Sequence, residues 1–263
     1  MICAGTTFSP KNRDDLEAAV DACIRLSPVG DCSTGPYGSI RVWDVSQVTA
    51  MDKMFSGAKY FNQDLSNWNV GKVTDMSYMF FQASVFNQGL SKWGVGKVTS
   101  MTAMFYQASA FNSDLSKWNV VQVTDMDNVF SGAKSFNQDL SKWDVSQVTD
   151  MRWMFYQASA FNGDLSTWNV GKVTNMQWMF SQASAFNQDL SEWNVGQVTD
   201  MDNMFNGATS FKQALCGDAW LKSKAKRMFM FEDSGGTICR FKPQDKGALM
   251  TALFSCMSHC EPS

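Results

Sequence analysis

The sequence predicts an α/β repeat protein, a solenoid of seven 25-residue units with one short strand and one short helix apiece, closed by helical, cysteine-containing ends. Three observations predict it. Tryptophan recurs at Trp43, Trp68, Trp93, Trp118, Trp143, Trp168 and Trp193, always twenty-five residues apart. Two phenylalanine series (Phe55 to Phe205, Phe61 to Phe211) and a methionine series (Met51 to Met201) keep the same step with no insertion. Cysteine is confined to the two ends, at Cys3, Cys23 and Cys32, then Cys216, Cys239, Cys256 and Cys260. A fixed period over most of a chain means an array of one supersecondary unit, in which each unit touches only its neighbours. The expected organisation is an N-terminal cap at 1–40, the solenoid at 41–215, and a C-terminal cap or the start of a second module at 216–263.

Asn12 to Leu26 reads as an amphipathic helix, with Leu16, Val20, Cys23 and Ile24 on one side. Phe8, Pro10, Leu16 and Cys23 reappear at one constant offset as Phe241, Pro243, Leu249 and Cys256. Two readings of that echo stand: helices covering both ends of one solenoid, or the opening of a second module. Cysteines restricted to the ends suit disulfide-stapled caps in an oxidising setting. Buried free thiols in a reducing cell are the alternative, and an odd count leaves one thiol unpaired within the chain.

Inside a unit, Val48, Met51, Met54, Phe55 and Ala58 fall at helical spacing and cluster on one face. Thr49 and its equivalents precede this run as helix caps, and Asp75, Asp125, Asp150 and Asp200 follow where a helix dipole favours negative charge. The spacing predicts a helix of about ten residues, roughly 15 Å long, ending near Gly57. A turn at Phe61–Asp64 leads into an extended piece, Leu65–Val70, and Gly71 turns the chain back. Strands about 4.8 Å apart against helices about 8–10 Å apart would bend the stack, strands on the concave side.

Bulk properties exclude several classes. The 263 residues are 44% hydrophobic and 18% charged, with net charge −3, so the basic footprint of nucleic-acid binding is missing. No run of about eighteen apolar residues exists for a membrane span, and the first residues do not read as a signal peptide. The chain is then either cytoplasmic or a fragment of a longer protein, and the end cysteines favour the fragment. A monomer is expected.

The unit Trp143-Asp-Val-Ser-Gln-Val-Thr-Asp-Met151, with Met154-Phe155, Ala158 and Phe161-Asn-Gly-Asp-Leu-Ser166, resembles the BspA-like leucine-rich-repeat surface proteins. It is most similar to their twenty-five-residue variant in mycoplasma lipoproteins and protists. The resemblance covers about residues 43–215 and implies a leucine-rich-repeat-like solenoid, secreted or displayed on a cell surface. It brings no catalytic residues. The chain departs from the lipoprotein members in showing no signal sequence or lipidation cysteine.

Candidate chemistry is sparse. His259 is the only histidine, so no histidine-based triad is expected, and neither catalytic residues nor a cofactor are predicted. Cys256, His259 and Cys260 offer three metal ligands where structural zinc wants four; no metal is predicted. The column Asn62, Asn87, Asn112, Asn137, Asn162, Asn187 reads as a ladder bonding turn backbone groups inside the coil, with ligand contact as the alternative. The column Asp64, Asp114, Asp139, Asp164, Asp189 reads as local capping of turn N–H groups, with a calcium edge as the sharper alternative.

Function should lie where stacking does not dictate the residue. Two columns on the outward side of the expected helix hold aromatics: Tyr78, Trp153 and Trp178 in one, Phe81, Tyr106 and Tyr156 in the other. Exposed rings in a row suit sugar faces or a protein partner; alternatively they fill grooves between adjacent helices. Lys92, Lys117 and Lys142 form a second candidate surface on the concave side, for an acidic partner or anionic glycan, or serve as solubilising charges. The expected function is non-catalytic surface recognition or adhesion with a protein or glycan ligand. A purely structural spacer within a longer array is the alternative.

Overall fold

A computed structural model describes residues 7–240. Cys3, Cys256, His259, Cys260 and the echo beginning at Phe241 lie outside the described residues.

The chain opens with α1 (Arg13–Leu26). Asn12 caps it by accepting the Asp15 N–H at 2.9 Å, and Asp14 and Asp15 complement the positive end of the helix dipole. Leu16, Ala19, Val20 and Cys23 are buried. Arg13 ties the helix to the first repeat through the Asp52 carboxylate at 2.6 Å. Cys23 is disulfide-bonded to Cys32.

From Trp43 onward each 25-residue unit is one coil of the chain, numbered here from Trp43 (coil 1) to Trp193 (coil 7). The helix expected over 48–58 is absent from every coil; those residues form consecutive tight turns. In coil 2 the N–H groups of Met79, Phe81 and Ala83 close turns onto the carbonyls of Met76, Tyr78 and Phe80. The alternate N–H groups, of Met76, Tyr78, Phe80 and Gln82, donate to Ser100, Thr102, Met104 and Tyr106 of the next coil at 2.6–3.1 Å. Donors thus alternate between the home coil and its neighbour, and the whole segment is satisfied. Turns that each close after three residues bring residues 51, 54, 55 and 58 inward with nearly the helical period, which is why the pattern reads as a helix. Two positions rule a helix out: the backbone is left-handed at Lys53, Tyr78, Ala103, Asn128, Trp153, Trp178 and Asn203, and again at Gly57, Gln82, Gln107, Gly132, Gln157, Gln182 and Gly207. Positive φ at the third residue of a turn is the type II geometry.

The inter-coil pairing also sits elsewhere than expected. Parallel bridges join Ala50, Asp75, Ser100, Asp125, Asp150, Asn175 and Asp200 in sequence, not the Leu65–Val70 segments. Thr74 does not cap a helix. Its N–H and hydroxyl both donate to the Thr49 carbonyl, at 2.8 and 3.2 Å, and Thr99, Thr124, Thr149, Thr174 and Thr199 repeat this one coil on. Asp75, Asp125, Asp150 and Asp200 instead accept the N–H two residues ahead, a local turn bond open to Asp and Asn. With no helices on one side, the expected mismatch of spacings, and the bend it would drive, has no source here.

The core is a set of columns along the stack. Phe80, Phe105 and Phe130 stack at 5.6–5.7 Å within 3° of parallel. Trp93 and Trp118 stack at 6.4 Å. Each tryptophan also stitches backward. The Trp93 indole N–H donates to the Leu65 carbonyl at 3.0 Å, and Trp118, Trp143, Trp168 and Trp193 repeat the bond onto Leu90, Leu115, Leu140 and Leu165. A buried indole needs such a partner.

An eighth coil follows, hidden from the strict period. In α2 (Asp218–Lys222), Trp220 is buried and donates to the Leu190 carbonyl at 2.8 Å. Phe231 stacks on Phe205 at 5.6 Å. β1 (Ala214–Leu215) pairs in parallel with β2 (Thr237–Ile238), and Cys216 is bonded to Cys239. The repeat architecture therefore continues beyond residue 215 as far as the described residues run.

Candidate functional site

The columns at positions 53 and 56 of the coil lie on the turn wall whose backbone joins coil to coil. The outward residues of the expected helix become outward residues of successive turns, so the aromatics face outward for a different reason than predicted. Tyr78 is exposed; Phe81, Tyr106, Trp153, Tyr156 and Trp178 are half-buried.

They form two clusters. In coils 2 and 3, Phe81 and Tyr106 stack at 4.7 Å and 8° from parallel, with Tyr78 beside Phe81 at 5.7 Å. In coils 5 and 6, Trp153 and Trp178 stack at 4.9 Å and 6° from parallel, and Tyr156 stands edge-on to Trp153 at 4.9 Å. Gln107 and Gln157 donate to the hydroxyls of Tyr106 and Tyr156 at 3.5 and 3.2 Å.

Between the clusters the wall recedes. Coil 4 carries Asn128, Ser131 and Gly132 where its neighbours carry rings and glutamine, and coil 3 carries Ala103. A depression of about 310 Å³ results, lined by Tyr78, Phe81, Ala103, Tyr106, Asn128 and Trp153. Ala103 and Asn128, its floor, were not among the expected site residues. Their signal in the sequence is an absence, two small residues interrupting a column of rings.

An acidic group adjoins this floor. Asn128 Nδ2 donates to Asp127 Oδ1 at 2.8 Å, and Arg152 lies 3.7 Å from Asp127 and 2.9 Å from Asp150. Burial pushes the Asp127 carboxyl up to about 6; the Arg152 charge opposes the shift, and Asp150 and Asp125 add to it.

Lys92, Lys117 and Lys142 are exposed. Each is the third residue of a turn closed by the following tryptophan N–H onto Leu90, Leu115 or Leu140, not part of a strand. They lie beside the aspartate column: Lys92 helps lower the Asp64 carboxyl, and Lys117 and Lys142 that of Asp114. That compensates the stacked carboxylates and leaves less of an isolated basic stripe. Asp64, Asp114, Asp139, Asp164 and Asp189 each accept the N–H two residues ahead at 2.8–2.9 Å, the local capping reading. Among the described residues, no cluster of three or more His, Cys, Asp or Glu is placed to hold a metal ion. The asparagine column is a ladder on the outside of the stack: Asn62 Oδ1 accepts the Asn87 N–H at 3.0 Å, and so on until Lys212, which needs only its N–H to close the series on Asn187.

No curated protein and no solved structure matches the chain. A family model described as "Mycoplasma protein of unknown function, DUF285" matches residues 30–142 and again 124–237, two overlapping spans that take in every tryptophan coil, and the chain belongs to that family.

Proposed function

We propose that this chain is a non-catalytic recognition or adhesion module, secreted or displayed at a cell surface, that binds a protein or glycan through the turn wall bearing Tyr78, Phe81, Tyr106, Trp153, Tyr156 and Trp178. One observation carries the reading. Tyr78, Trp153 and Trp178 hold left-handed backbone, φ 57–58°, which costs a bulky residue about 1–2 kcal/mol. Asparagine tolerates that conformation, and Asn128 and Asn203 occupy the same position in other coils. Lys53 and Ala103 occupy it too, so coil stacking does not require a ring there. Rings kept at a strained, outward position suggest selection for contact.

The same proposal takes the stack as a leucine-rich-repeat-like solenoid of the BspA-like kind, with turns in place of the helix. Its support is the parallel coil-to-coil bonding and the inward tryptophan, phenylalanine and leucine columns. The disulfides Cys23–Cys32 and Cys216–Cys239 are compatible with an oxidising exterior, and no helix among the described residues is long and apolar enough to cross a membrane.

The test is a screen of immobilised glycans and cell-surface proteins against the oxidised chain, with a Trp153→Ala/Trp178→Ala double variant alongside. Saturable binding that the double variant loses, at unchanged melting temperature, supports the reading. A folded chain that binds nothing overturns it. The second reading, a structural spacer, is favoured by the half-burial of Trp153 and Trp178 and their stack across coils 5 and 6; it predicts that the double variant loses stability.

A further inference from the structure

We infer that the depression over Ala103 and Asn128 is a seat for one hexopyranose ring of a neutral glycan, with Trp153 as its stacking face and Asn128 as its hydroxyl partner. The inference rests on the recognition reading above and names the ligand class of that face.

Where rings occupy neighbouring coils they stack at one coil step, 4.7 Å for Phe81 on Tyr106 and 4.9 Å for Trp153 on Trp178. The column Tyr78, Ala103, Asn128, Trp153 lacks two consecutive rings. Tyr78 and Trp153 are three coil steps apart, about 14 Å at the spacing of paired strands. Trp178 covers one face of Trp153; the opposite face borders Asn128 across the depression. Its volume of about 310 Å³ is at the small end of ligand sites and admits a single sugar ring.

The chemistry of the lining selects among ring-shaped guests. The face of an aromatic ring is electron-rich, so it attracts the C–H groups on the flat side of a pyranose, which carry partial positive charge. The rest of the lining is polar in a way that suits hydroxyls. Asn128 spends Nδ2 on Asp127 and keeps Oδ1 as an acceptor. Tyr78 and Tyr106 bring hydroxyls that both donate and accept. An aromatic side chain from a protein partner would stack on Trp153 but leave these groups without partners, at a desolvation cost. No lysine or arginine lines the depression itself; at its margins the Arg152 charge is already paired with Asp127 and Asp150 and Lys53 lies over the Tyr78 ring at 6.0 Å, so the lining favours a neutral ring.

The experiment is saturation-transfer NMR on the oxidised chain with methyl glycosides of glucose, galactose, mannose and N-acetylglucosamine, each at millimolar concentration. Asn128→Trp extends the Trp153/Trp178 stack by one ring and fills the seat. Coils 5 and 6 already carry tryptophan at the same left-handed position, so the coil accommodates it. Trp153→Ala removes the stacking face and leaves Asn128 in place. The expected result is transfer to at least one glycoside in the parent chain, weakened about tenfold or more, a loss of about 1.4 kcal/mol, in either variant while a cooperative thermal unfolding transition is retained. Glycoside binding that survives both substitutions overturns the seat. If no glycoside binds while a protein ligand binds in a manner that depends on Trp153 and Trp178, the sugar seat falls and the recognition face stands. If neither binds, both fall.

Discussion

Trp153 and Trp178 stack face to face, 4.9 Å apart and 6° from parallel, on backbone that is left-handed at both residues. The pair combines a favourable contact with an unfavourable conformation. A stacked pair is worth about 0.5–1.5 kcal/mol beyond its burial, while each left-handed tryptophan costs about 1–2 kcal/mol.

Replacing both by asparagine, the residue found at this position in coils 4 and 7, exchanges one effect for the other. Trp153→Asn/Trp178→Asn is expected to change unfolding free energy by about 1 kcal/mol or less, because relief of strain offsets lost stacking and burial. Urea denaturation measures it. A loss above roughly 3 kcal/mol, the scale of core truncation, would make the pair a structural clamp.

A core tryptophan should behave in the opposite way. Trp143 is 3% exposed and donates its indole N–H to the Leu115 carbonyl at 3.0 Å. Trp143→Phe keeps a ring but removes that bond, at about 0.5–1.5 kcal/mol, plus the smaller ring's cavity; the Leu115 carbonyl retains the Trp118 N–H at 3.0 Å. The denaturation midpoint should fall while the outward face keeps its ligand. A midpoint equal to that of the parent chain would mean that the indole bond contributes nothing net.

The asparagine ladder predicts a contrast between two positions of one column. Asn112 Oδ1 accepts the Asn137 N–H at 2.9 Å and Gln138 Nε2 at 2.8 Å. Asn112→Ala removes both, at about 0.5–1.5 kcal/mol for each bond. Lys212 contributes to the ladder through its backbone N–H alone, so Lys212→Ala should stay within about 0.5 kcal/mol of the parent chain. Equal effects at the two positions would mean that the ladder is not a stabilising device.

The inward residues were legible in the sequence because a strict period writes the core out seven times. The local conformation was not. Residues 51, 54, 55 and 58 point inward in a helix and in a run of tight turns alike, and only backbone sign separates the two. Hints were present: Gly57, Gly132 and Gly207 recur in one column, and Asn128 and Asn203 in another, as left-handed residues do. Lysine, tyrosine, tryptophan and glutamine in the same columns masked them. The eighth coil escaped because Trp220 stands two residues out of step and Lys226, paired to Asp200, one residue out. The aromatic residues of the candidate site were visible, but the depression between them was not. It depends on Ala103 and Asn128 facing the same gap, which follows from the alternation of turn and inter-coil bonds.

Stability should depend on pH through two opposed groups of carboxyls. Burial raises Asp127 to about 6, against the pull of Arg152 and with the help of Asp150 and Asp125. Between its ordinary value of 3.8 and about 6, the folded chain holds this proton and the unfolded chain does not. Stability therefore falls as pH rises through that window and levels off above it. Asp64, Asp114 and Asp139 shift the other way, held low by hydrogen bonds to Ser66, Ser116 and Ser141. They contribute stability that is present above their unfolded value and is lost as pH falls through their folded one; being largely exposed, each contributes little. The expected melting temperature is highest near pH 4, declines toward about pH 6, and is flat from there to pH 8. Asp127→Asn should keep the Asn128 contact, remove the decline, and raise the melting temperature at neutral pH. A parent chain whose melting temperature rises between about pH 4 and 6, or an Asp127→Asn chain that retains the decline, would show that Asp127 is ionised in the folded protein and that its burial is compensated by Arg152.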